Sequence, residues 1–135
     1  MGTRLVFLLD THVVVWIALA PGKLSKKAVQ AINHSREQGG GPSIADITLF
    51  ELASLVSRAH IELRISLEAF LEEVQSRFSV LPIDRQIAAR SVQLPSSYPS
   101  DPMDRIIGAT AIVHGLSLIT ADERIRKSKV LPTVW

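Results

Sequence analysis

The strongest constraint on the fold is an apolar run near the start of the chain, Leu5–Leu9, in which no polar residue alternates with the apolar ones. A strand with one wet face alternates, so an unbroken run predicts a strand that is covered on both faces. Similar short runs recur at Ser79–Ile83 and Leu116–Thr120, with helix-like spacing of apolar residues between them. This order predicts the α/β class, as a three-layer α/β/α sandwich on a mostly parallel central sheet.

The same patterns give expected boundaries for the individual elements. We expect strands at Leu5–Leu9, Ser43–Ala45, Ser79–Ile83, Leu116–Thr120 and Lys129–Val134. We expect helices at Val13–Ala20, from Ser25 onward, and at Ile47–Ala59, Leu67–Phe78, Gln86–Leu94 and Asp101–His114, where Asp84 and Gly115 are the expected caps of the last two. The length of 135 residues fits one domain over 1–135, without a linker or an internal repeat.

The first twenty residues imitate a signal peptide, with Arg4 as a basic flank and small residues at 18 and 20. Asp10 argues against export, because a carboxylate inside an inserting segment costs about 2.5–3.5 kcal/mol. The apolar runs on either side of it are also shorter than the about 20 residues that a membrane span needs. We therefore expect a folded strand and helix here, and no membrane association.

Composition narrows the class of protein further. Apolar residues make up 47% of the chain and charged residues 21%, which is typical of a folded protein rather than a disordered one. The absence of cysteine excludes a disulfide scaffold, a thiolate zinc site and a cysteine nucleophile, and it fits a cytoplasmic location. A net charge of +2 permits a polyanionic partner without requiring one.

Four carboxylates occupy comparable positions in this pattern. Asp10 directly follows the first predicted strand, and Asp122 comes two residues after the strand Leu116–Thr120. Glu51 and Asp104 lie near the beginnings of two predicted helices. Sites in open α/β sheets form beyond the carboxyl ends of the strands. All four side chains can therefore lie at this one edge of the sheet.

Each of these carboxylates also has a simpler explanation as a helix cap. The segment Thr48–Glu51 matches a capping box, and Asp101-Pro102 is a favourable helix start that places Asp104 near the positive end of the helix dipole. Asp10 and Asp122 can likewise cap the elements that follow them. Sequence spacing alone leaves both interpretations open.

If the carboxylates meet, their mutual repulsion calls for a counter-charge. An all-oxygen ligand set favours Mg²⁺ or Mn²⁺ over zinc. Such an ion typically binds substrate phosphates, and the reaction it suits is phosphodiester hydrolysis by an activated water. A metal-dependent nuclease is therefore the predicted activity of such a site.

Four segments of the chain resemble the PIN domain family, and most closely its VapC-type toxins from prokaryotic toxin–antitoxin pairs. They are Leu8–His12, Thr48–Ala53, Asp101–Ala111 and Leu118–Glu123. The resemblance implies a PIN-like fold and an Mg²⁺- or Mn²⁺-dependent endoribonuclease. Matched motif to motif, it implies catalytic and metal-binding roles for Asp10, Glu51, Asp104 and Asp122, with Asp101 as a helper or cap. It further implies a homodimer, an antitoxin that wraps the toxin, and structured RNA substrates such as tRNA or ribosomal RNA.

Several neighbouring residues are candidates for supporting roles. Thr11 and Thr120 can place hydroxyls near a metal-bound water, although local hydrogen bonding to the backbone is the favoured role for both. His12 is interpreted as structural. Asp46 stands where many relatives of the family carry serine, and we interpret it as a helix cap rather than a fifth acid. The candidates for RNA contact are basic residues, each of which also suits an ordinary solvated face: Arg105, Arg124, Arg126, Lys127 and Lys129.

Other functions remain open at this point. One is a PIN-like nuclease outside any toxin system, acting on RNA or on DNA. Another is a non-catalytic α/β binding module whose acidic residues are only caps. A phosphoacceptor receiver domain is disfavoured, because Lys127 and Lys129 are poorly placed for the lysine that such a domain needs.

Overall fold

A five-stranded parallel sheet forms the centre of the protein in a computed structural model that describes residues 6–135. The strands are β1 (Phe7–Leu9), β2 (Ser43–Ala45), β3 (Ser79–Leu81), β4 (Ser117–Ile119) and β5 (Thr133–Val134). Their order across the sheet is β3-β2-β1-β4-β5, and every neighbouring pair is parallel. The predicted fold class is confirmed, while Arg4 and the expected strand start at Leu5 lie outside the described residues.

Helices cover both faces of this sheet. They are α1 (Thr11–Leu19), α2 (Lys26–Glu37), α3 (Asp46–Ser57), α4 (Leu67–Arg77), α5 (Arg85–Gln93), α6 (Pro102–His114) and α7 (Glu123–Ser128), with a short 3₁₀ turn at Pro21–Lys23. None of the helices within residues 6–135 is both long enough and apolar enough to cross a membrane.

Two adjacent leucines show how β1 is buried. Leu8 and Leu9 are both 0% exposed, but they belong to different core clusters because consecutive side chains of a strand point to opposite faces. Leu8 packs with apolar side chains of α6 and α7, including Ile107 and Ile125. Leu9 packs on the other face with side chains of α1 and α3, including Val13 and Leu52. The unbroken apolar run is therefore the result of a strand with two buried faces.

The helix boundaries follow from caps that can be recognised in the sequence. The Ser25, Asp84 and Asp101 side chains accept hydrogen bonds from the first-turn N–H groups of α2, α5 and α6. Gly115 ends α6 with a φ of 67°, a left-handed conformation that glycine adopts without strain. The expected caps Ser25, Asp84 and Gly115 are thus confirmed.

Two features at the C-terminal end differ from expectation. The predicted strand Lys129–Val134 is wrong over its first four residues, since Lys129 has a φ of 55° and only Thr133–Val134 pairs with β4. The segment before it holds a six-residue helix, α7, that the apolar spacing does not reveal. With one buried residue, Ile125, this helix is too short to show a periodic pattern.

The sheet order also determines where a site can form. The chain proceeds from β1 through β2 to β3 on one side and then returns to place β4 and β5 on the other side of β1. The strand order therefore reverses between β1 and β4, and crevices in open parallel sheets form beyond the carboxyl ends of such a strand pair. Asp10 follows β1 at this point, and Thr120 follows β4.

Candidate active site

Asp10 lies at the reversal of strand order and is only 4% exposed. Its Oδ1 accepts a hydrogen bond of 2.9 Å from the Thr11 N–H and so caps α1. Its Oδ2 accepts a hydrogen bond of 2.8 Å from the Thr120 hydroxyl. Two elements from opposite ends of the chain therefore fix the orientation of this carboxylate.

Glu51 reaches the same region from the second turn of α3. The Thr11 hydroxyl donates a hydrogen bond of 2.6 Å to its Oε1. The capping-box interpretation of Thr48 and Glu51 is wrong, because α3 already begins at Asp46 and Thr48 lies inside the helix. Thr48 instead contacts Thr11, with 3.1 Å between their Oγ1 atoms. Burial raises the pKa of Glu51 above its usual range, and the negative charges of Asp10 and Asp101 raise it further.

Asp104 lies in the first turn of α6 and faces the other carboxylates. Burial raises its pKa from the ordinary value of 3.8 to about 7. The negative charges of Asp10, Asp101, Asp122 and Glu51 act in the same direction. Asp101 caps α6 with a 2.9 Å hydrogen bond from the Met103 N–H, so it occupies the cap position that was expected for it.

Three of the four carboxylates line one cavity. A cavity of about 460 Å³ is bounded by Asp10, Glu51 and Asp104, with Trp16 and Lys23 on a further wall. We call it the acidic cavity. Its formation brings together residues that are separated by up to 94 positions in the chain.

Asp122 lies beside the acidic cavity. It does not belong to the lining that residues 6–135 form. Its Oδ1 accepts hydrogen bonds from the Arg124 and Ile125 N–H groups and caps α7. Its own N–H donates a 3.0 Å hydrogen bond to Thr120 Oγ1, which in turn donates to Asp10. Thr120 therefore connects Asp122 to Asp10, and capping does not exclude a place at the same rim.

The donor chemistry fits a hard divalent cation. The cavity offers carboxylate oxygens, and the raised pKa values of Glu51 and Asp104 reflect negative charges held close together in a partly dry site. Side chains of residues 6–135, as oriented, do not form a set of three or more that jointly holds a metal ion. Both Asp10 oxygens already accept hydrogen bonds, and Mg²⁺ commonly uses only one or two carboxylates together with waters.

His12 has a structural role in this arrangement. Its Nε2 accepts a 2.9 Å hydrogen bond from the Ala121 N–H, which fixes the loop between β4 and α7. Its Nδ1 lies 3.6 Å from Asp10 Oδ2, and its ring packs against Trp16 with 5.0 Å between ring centroids. An Nε2 that accepts from a backbone amide has no free lone pair for a general base.

One expectation about a charged residue, the Asp46 cap, is wrong, whereas Arg105 stays a predicted candidate for RNA contact and has a further structural role. Asp46 does not cap α3; it is the first residue of that helix, and its Oδ2 accepts a 3.0 Å hydrogen bond from the Ile83 N–H. The Arg105 guanidinium donates to the carbonyl oxygens of four residues at distances of 3.0–3.5 Å. These residues are Ser91, Leu94, Pro95 and Tyr98. Arg105 therefore anchors the loop that leads into α6.

Tyr98 belongs to none of the sequence motifs, so it was not among the predicted site residues. It is 1% exposed, and its hydroxyl donates a 3.1 Å hydrogen bond to the backbone carbonyl of Asp104. Burial raises its pKa well above the usual range, and the nearby charges of Asp10, Asp104 and Asp122 add to this. A lone tyrosine between prolines carries no motif, so only the fold shows that it supports the first turn of α6.

Comparison with known proteins identifies the family to which a chain with this site belongs. The model of the PIN domain family matches residues 7–131. The chain belongs to the PIN domain family. The match spans β1 to the segment before β5, so it includes every carboxylate described above, and it confirms the resemblance that the four motifs indicated.

Individual relatives of this PIN domain agree with the family match. The chain is 42% identical over 122 residues to Ribonuclease VapC22 of Mycobacterium tuberculosis, covering 90% of this chain and 91% of the relative. A toxin–antitoxin complex from Klebsiella pneumoniae contains a chain that is 28% identical, with a TM-score of 0.61 and coverage of 87% and 88%. DNA-bound VapBC2 from Rickettsia felis shares the fold with a TM-score of 0.73, 16% identity and coverage of 96% and 97%.

Proposed function

We propose that this PIN domain is an Mg²⁺- or Mn²⁺-dependent endoribonuclease and the toxin of a toxin–antitoxin pair. The observation that carries the proposal is the acidic cavity, in which Asp10, Glu51 and Asp104 meet although they come from different elements. Identity of 42% to a VapC ribonuclease supports RNA as the substrate, and tRNA or ribosomal RNA is the class we favour. A cytoplasmic location, where such RNA is found, is part of the same proposal.

The chain's own residues prepare the site for hydrolysis. Thr120 holds Asp10 and Thr11 holds Glu51, so both carboxylates keep their orientation without substrate. Asp10, Glu51 and Asp104 would hold the cation, with Asp122 at its margin. The bound cation would neutralise charge on the phosphate and make water more acidic. Tyr98 and Arg105 keep the first turn of α6, and with it Asp104, in place.

An apolar groove supports the proposed antitoxin partner. A cavity of about 480 Å³ lies between α1 and α4 and is lined by side chains that include Val14, Ile17, Phe70 and Phe78. Open apolar surface of this kind is typical of a site for a partner protein. A toxin–antitoxin complex among the structural relatives indicates an antitoxin as that partner, and we propose a homodimer of the toxin within the assembly.

The nuclease half of the proposal is tested by Asp10→Asn. The variant keeps the size of the side chain and an oxygen acceptor for the α1 cap, but it removes the negative charge. We expect Mg²⁺-dependent cleavage of total RNA to fall by more than about 100-fold, with an unchanged circular dichroism spectrum. Asp84→Asn is the matched control, since Asp84 caps α5, a helix that does not line the acidic cavity within residues 6–135, and it should cleave at the wild-type rate. Cleavage by Asp10→Asn at the wild-type rate would overturn the assignment.

The proposed role as a toxin is tested by looking for an antitoxin gene next to the gene of this protein. A toxin of this kind should follow a short upstream reading frame that encodes a DNA-binding protein. Co-expression of the two should give a stable complex in which RNA cleavage is blocked. Cleavage by the isolated protein without any such partner would leave a nuclease outside a toxin system.

A further inference from the structure

A second cavity lies directly beside the acidic one and has the opposite character. It measures about 600 Å³ and separates the loop before α6 from the short helix α7. Its lining contains four serines, Ser96, Ser97, Ser100 and Ser128, together with the side chains of Arg124 and Lys127. Arg105 forms part of its floor, and no carboxylate belongs to its lining among residues 6–135. We call it the basic cavity, because cations line it and carboxylates of residues 6–135 do not. The Ser128 hydroxyl donates to the Ile125 carbonyl, so Ser96, Ser97 and Ser100 are the serines whose hydroxyls can donate to a ligand.

The geometry of α7 divides the basic cluster into two groups. Arg124, Lys127 and Ser128 are three and four residues apart, so they share one face of the helix and line the cavity. Arg126 lies on another face of α7 and Lys129 follows the end of the helix, and neither belongs to that lining as residues 6–135 define it. Ile125 is buried and packs in the core cluster with Leu8, which fixes the rotation of α7 on the sheet.

The cations in the cavity remain available to a ligand. Lys127 Nζ lies 3.6 Å from Glu123 in a pair whose side chains are both about three-quarters exposed, and such pairs contribute little free energy. Arg124 is similarly exposed, with its Nε 4.0 Å from Asp122 Oδ1. By contrast, the Arg105 guanidinium is held by backbone carbonyls and acts as a fixed positive charge in the floor.

The two cavities share a wall. Tyr98 lines the basic cavity, and its hydroxyl bonds to the backbone of Asp104, which lines the acidic one. Asp122 connects through Thr120 to Asp10 of the acidic cavity and precedes Arg124 of the basic cavity by two residues, although it belongs to neither lining within residues 6–135. The basic cavity therefore lies next to a polyanion whose scissile phosphate is in the acidic cavity, and it offers cations to an adjoining phosphate.

We propose that the cavity formed by Ser96, Ser97, Ser100, Arg124, Lys127 and Ser128 binds a backbone phosphate of the RNA next to the cleavage site. Serine hydroxyls with arginine and lysine are the side chains that contact nucleic-acid phosphates in general, without reading sequence. The subsite offsets the repulsion between RNA and the acidic cavity. It rests on the proposed function, since it assigns a contact of the same substrate.

The test measures binding rather than cleavage. The probe is a fluorescein-labelled single-stranded 12-nucleotide RNA, titrated with the full chain in EDTA and followed by fluorescence anisotropy at several salt concentrations. We expect Arg124→Ala/Lys127→Ala to bind at least about tenfold more weakly. The slope of log affinity against log salt should fall by about 0.7 for each lost phosphate contact. Arg85→Ala/Arg90→Ala removes the same charge from α5 and should bind like the wild type.

Three outcomes separate this proposal from its alternatives. Wild-type affinity in Arg124→Ala/Lys127→Ala would overturn it, and so would an equal loss in Arg126→Ala/Lys129→Ala, because the effect would then come from the total charge near α7. Replacing Ser97 with aspartate puts a negative charge into the cavity and should weaken binding more than Ser97→Ala. If the wild-type protein failed to cleave RNA with Mg²⁺, the proposed function would fall independently of these affinities.

Discussion

At the scale of single residues, a helix cap and a site residue turn out to be compatible roles. Asp10, Asp101 and Asp122 all accept hydrogen bonds from first-turn N–H groups, as the simpler interpretation of the sequence expected. Asp10 nevertheless lines the acidic cavity, because a carboxylate has two oxygens and its cap uses only Oδ1. Sequence spacing could not show whether each aspartate is a helix cap or a site residue, because one aspartate can be both.

Thr11 is expected to act through Glu51. In Thr11→Val the side chain keeps its shape but no longer donates the 2.6 Å hydrogen bond to Glu51 Oε1. That bond lowers the pKa of Glu51, so its loss should raise the pKa further and leave the carboxylate mobile. We expect kcat for RNA cleavage to fall about tenfold with little change in KM. Thr110→Val is the control, because Thr110 is also buried but donates its hydrogen bond within α6 to the Ile106 carbonyl. An equal loss of kcat in both variants would contradict the role of Thr11 in positioning Glu51.

Asp104 should make the metal-free protein less stable as the pH rises. Its folded-state pKa of about 7 lies above the ordinary 3.8, so between these values the folded state binds more protons than the unfolded state. The free energy of unfolding should therefore decrease from about pH 4 to pH 7. Because solvent screens a half-buried carboxyl, we expect Asp104→Asn to be more stable than wild type by about 1–2 kcal/mol at pH 8 in EDTA.

Urea denaturation at pH 5 and pH 8 measures this effect. The advantage of Asp104→Asn should shrink at pH 5, where the wild-type carboxyl is largely protonated in the folded state. A stability difference that is the same at both pH values would show that the Asp104 carboxyl is not destabilised by its neighbours.

At the scale of elements, the spacing of apolar residues and the capping residues predicted the longer helices and missed the shortest α-helix, α7. Helices α3, α4, α5 and α6 lie within two residues of their expected bounds, because each presents an apolar face several turns long. Helix α7 has six residues, and its only clear signal is the Asp122 cap. The strand expected at Lys129 fails because the chain turns there with a positive φ before it reaches β5.

The contact between α6 and the preceding loop depends on the absence of a side chain at Gly108. A Cβ at this position would overlap with Tyr98 Oη and lie 2.7 Å from its Cζ. Since Tyr98 is buried, Gly108→Ala must displace either the tyrosine or α6. We expect a loss of about 1–3 kcal/mol in the free energy of unfolding, measured with urea, and lower activity because Asp104 moves with α6.

The control for this substitution is Gly22→Ala. No heavy atom of residues 6–135 outside its chain neighbours lies within 4 Å of a Cβ at Gly22, so Gly22→Ala should change the free energy of unfolding by no more than about 0.5 kcal/mol. Equal effects of the two substitutions would show that helix propensity or chain entropy, rather than the contact with Tyr98, determines the result.

At the scale of the whole molecule, the order of strands creates the site. Alternation of strands and helices was enough to predict a parallel sheet, but the sequence contains no direct record of which strands are neighbours. The pairing of β1 with both β2 and β4 puts Asp10 and Thr120 side by side although 110 positions separate them. The motifs of the PIN domain family supplied the four acidic residues. Tyr98, and the part that Arg105 plays in supporting the first turn of α6, became visible only through the fold.

The central claim is that these carboxylates hold a divalent cation, and the direct measurement is Mn²⁺ binding by isothermal titration calorimetry. We expect the wild-type protein to bind Mn²⁺ and Asp10→Asn and Glu51→Gln each to bind it at least about tenfold more weakly. Asp84→Asn should retain the wild-type Kd. A wild-type protein without Mn²⁺ affinity, or a Kd that neither Asp10→Asn nor Glu51→Gln changes, would contradict the account.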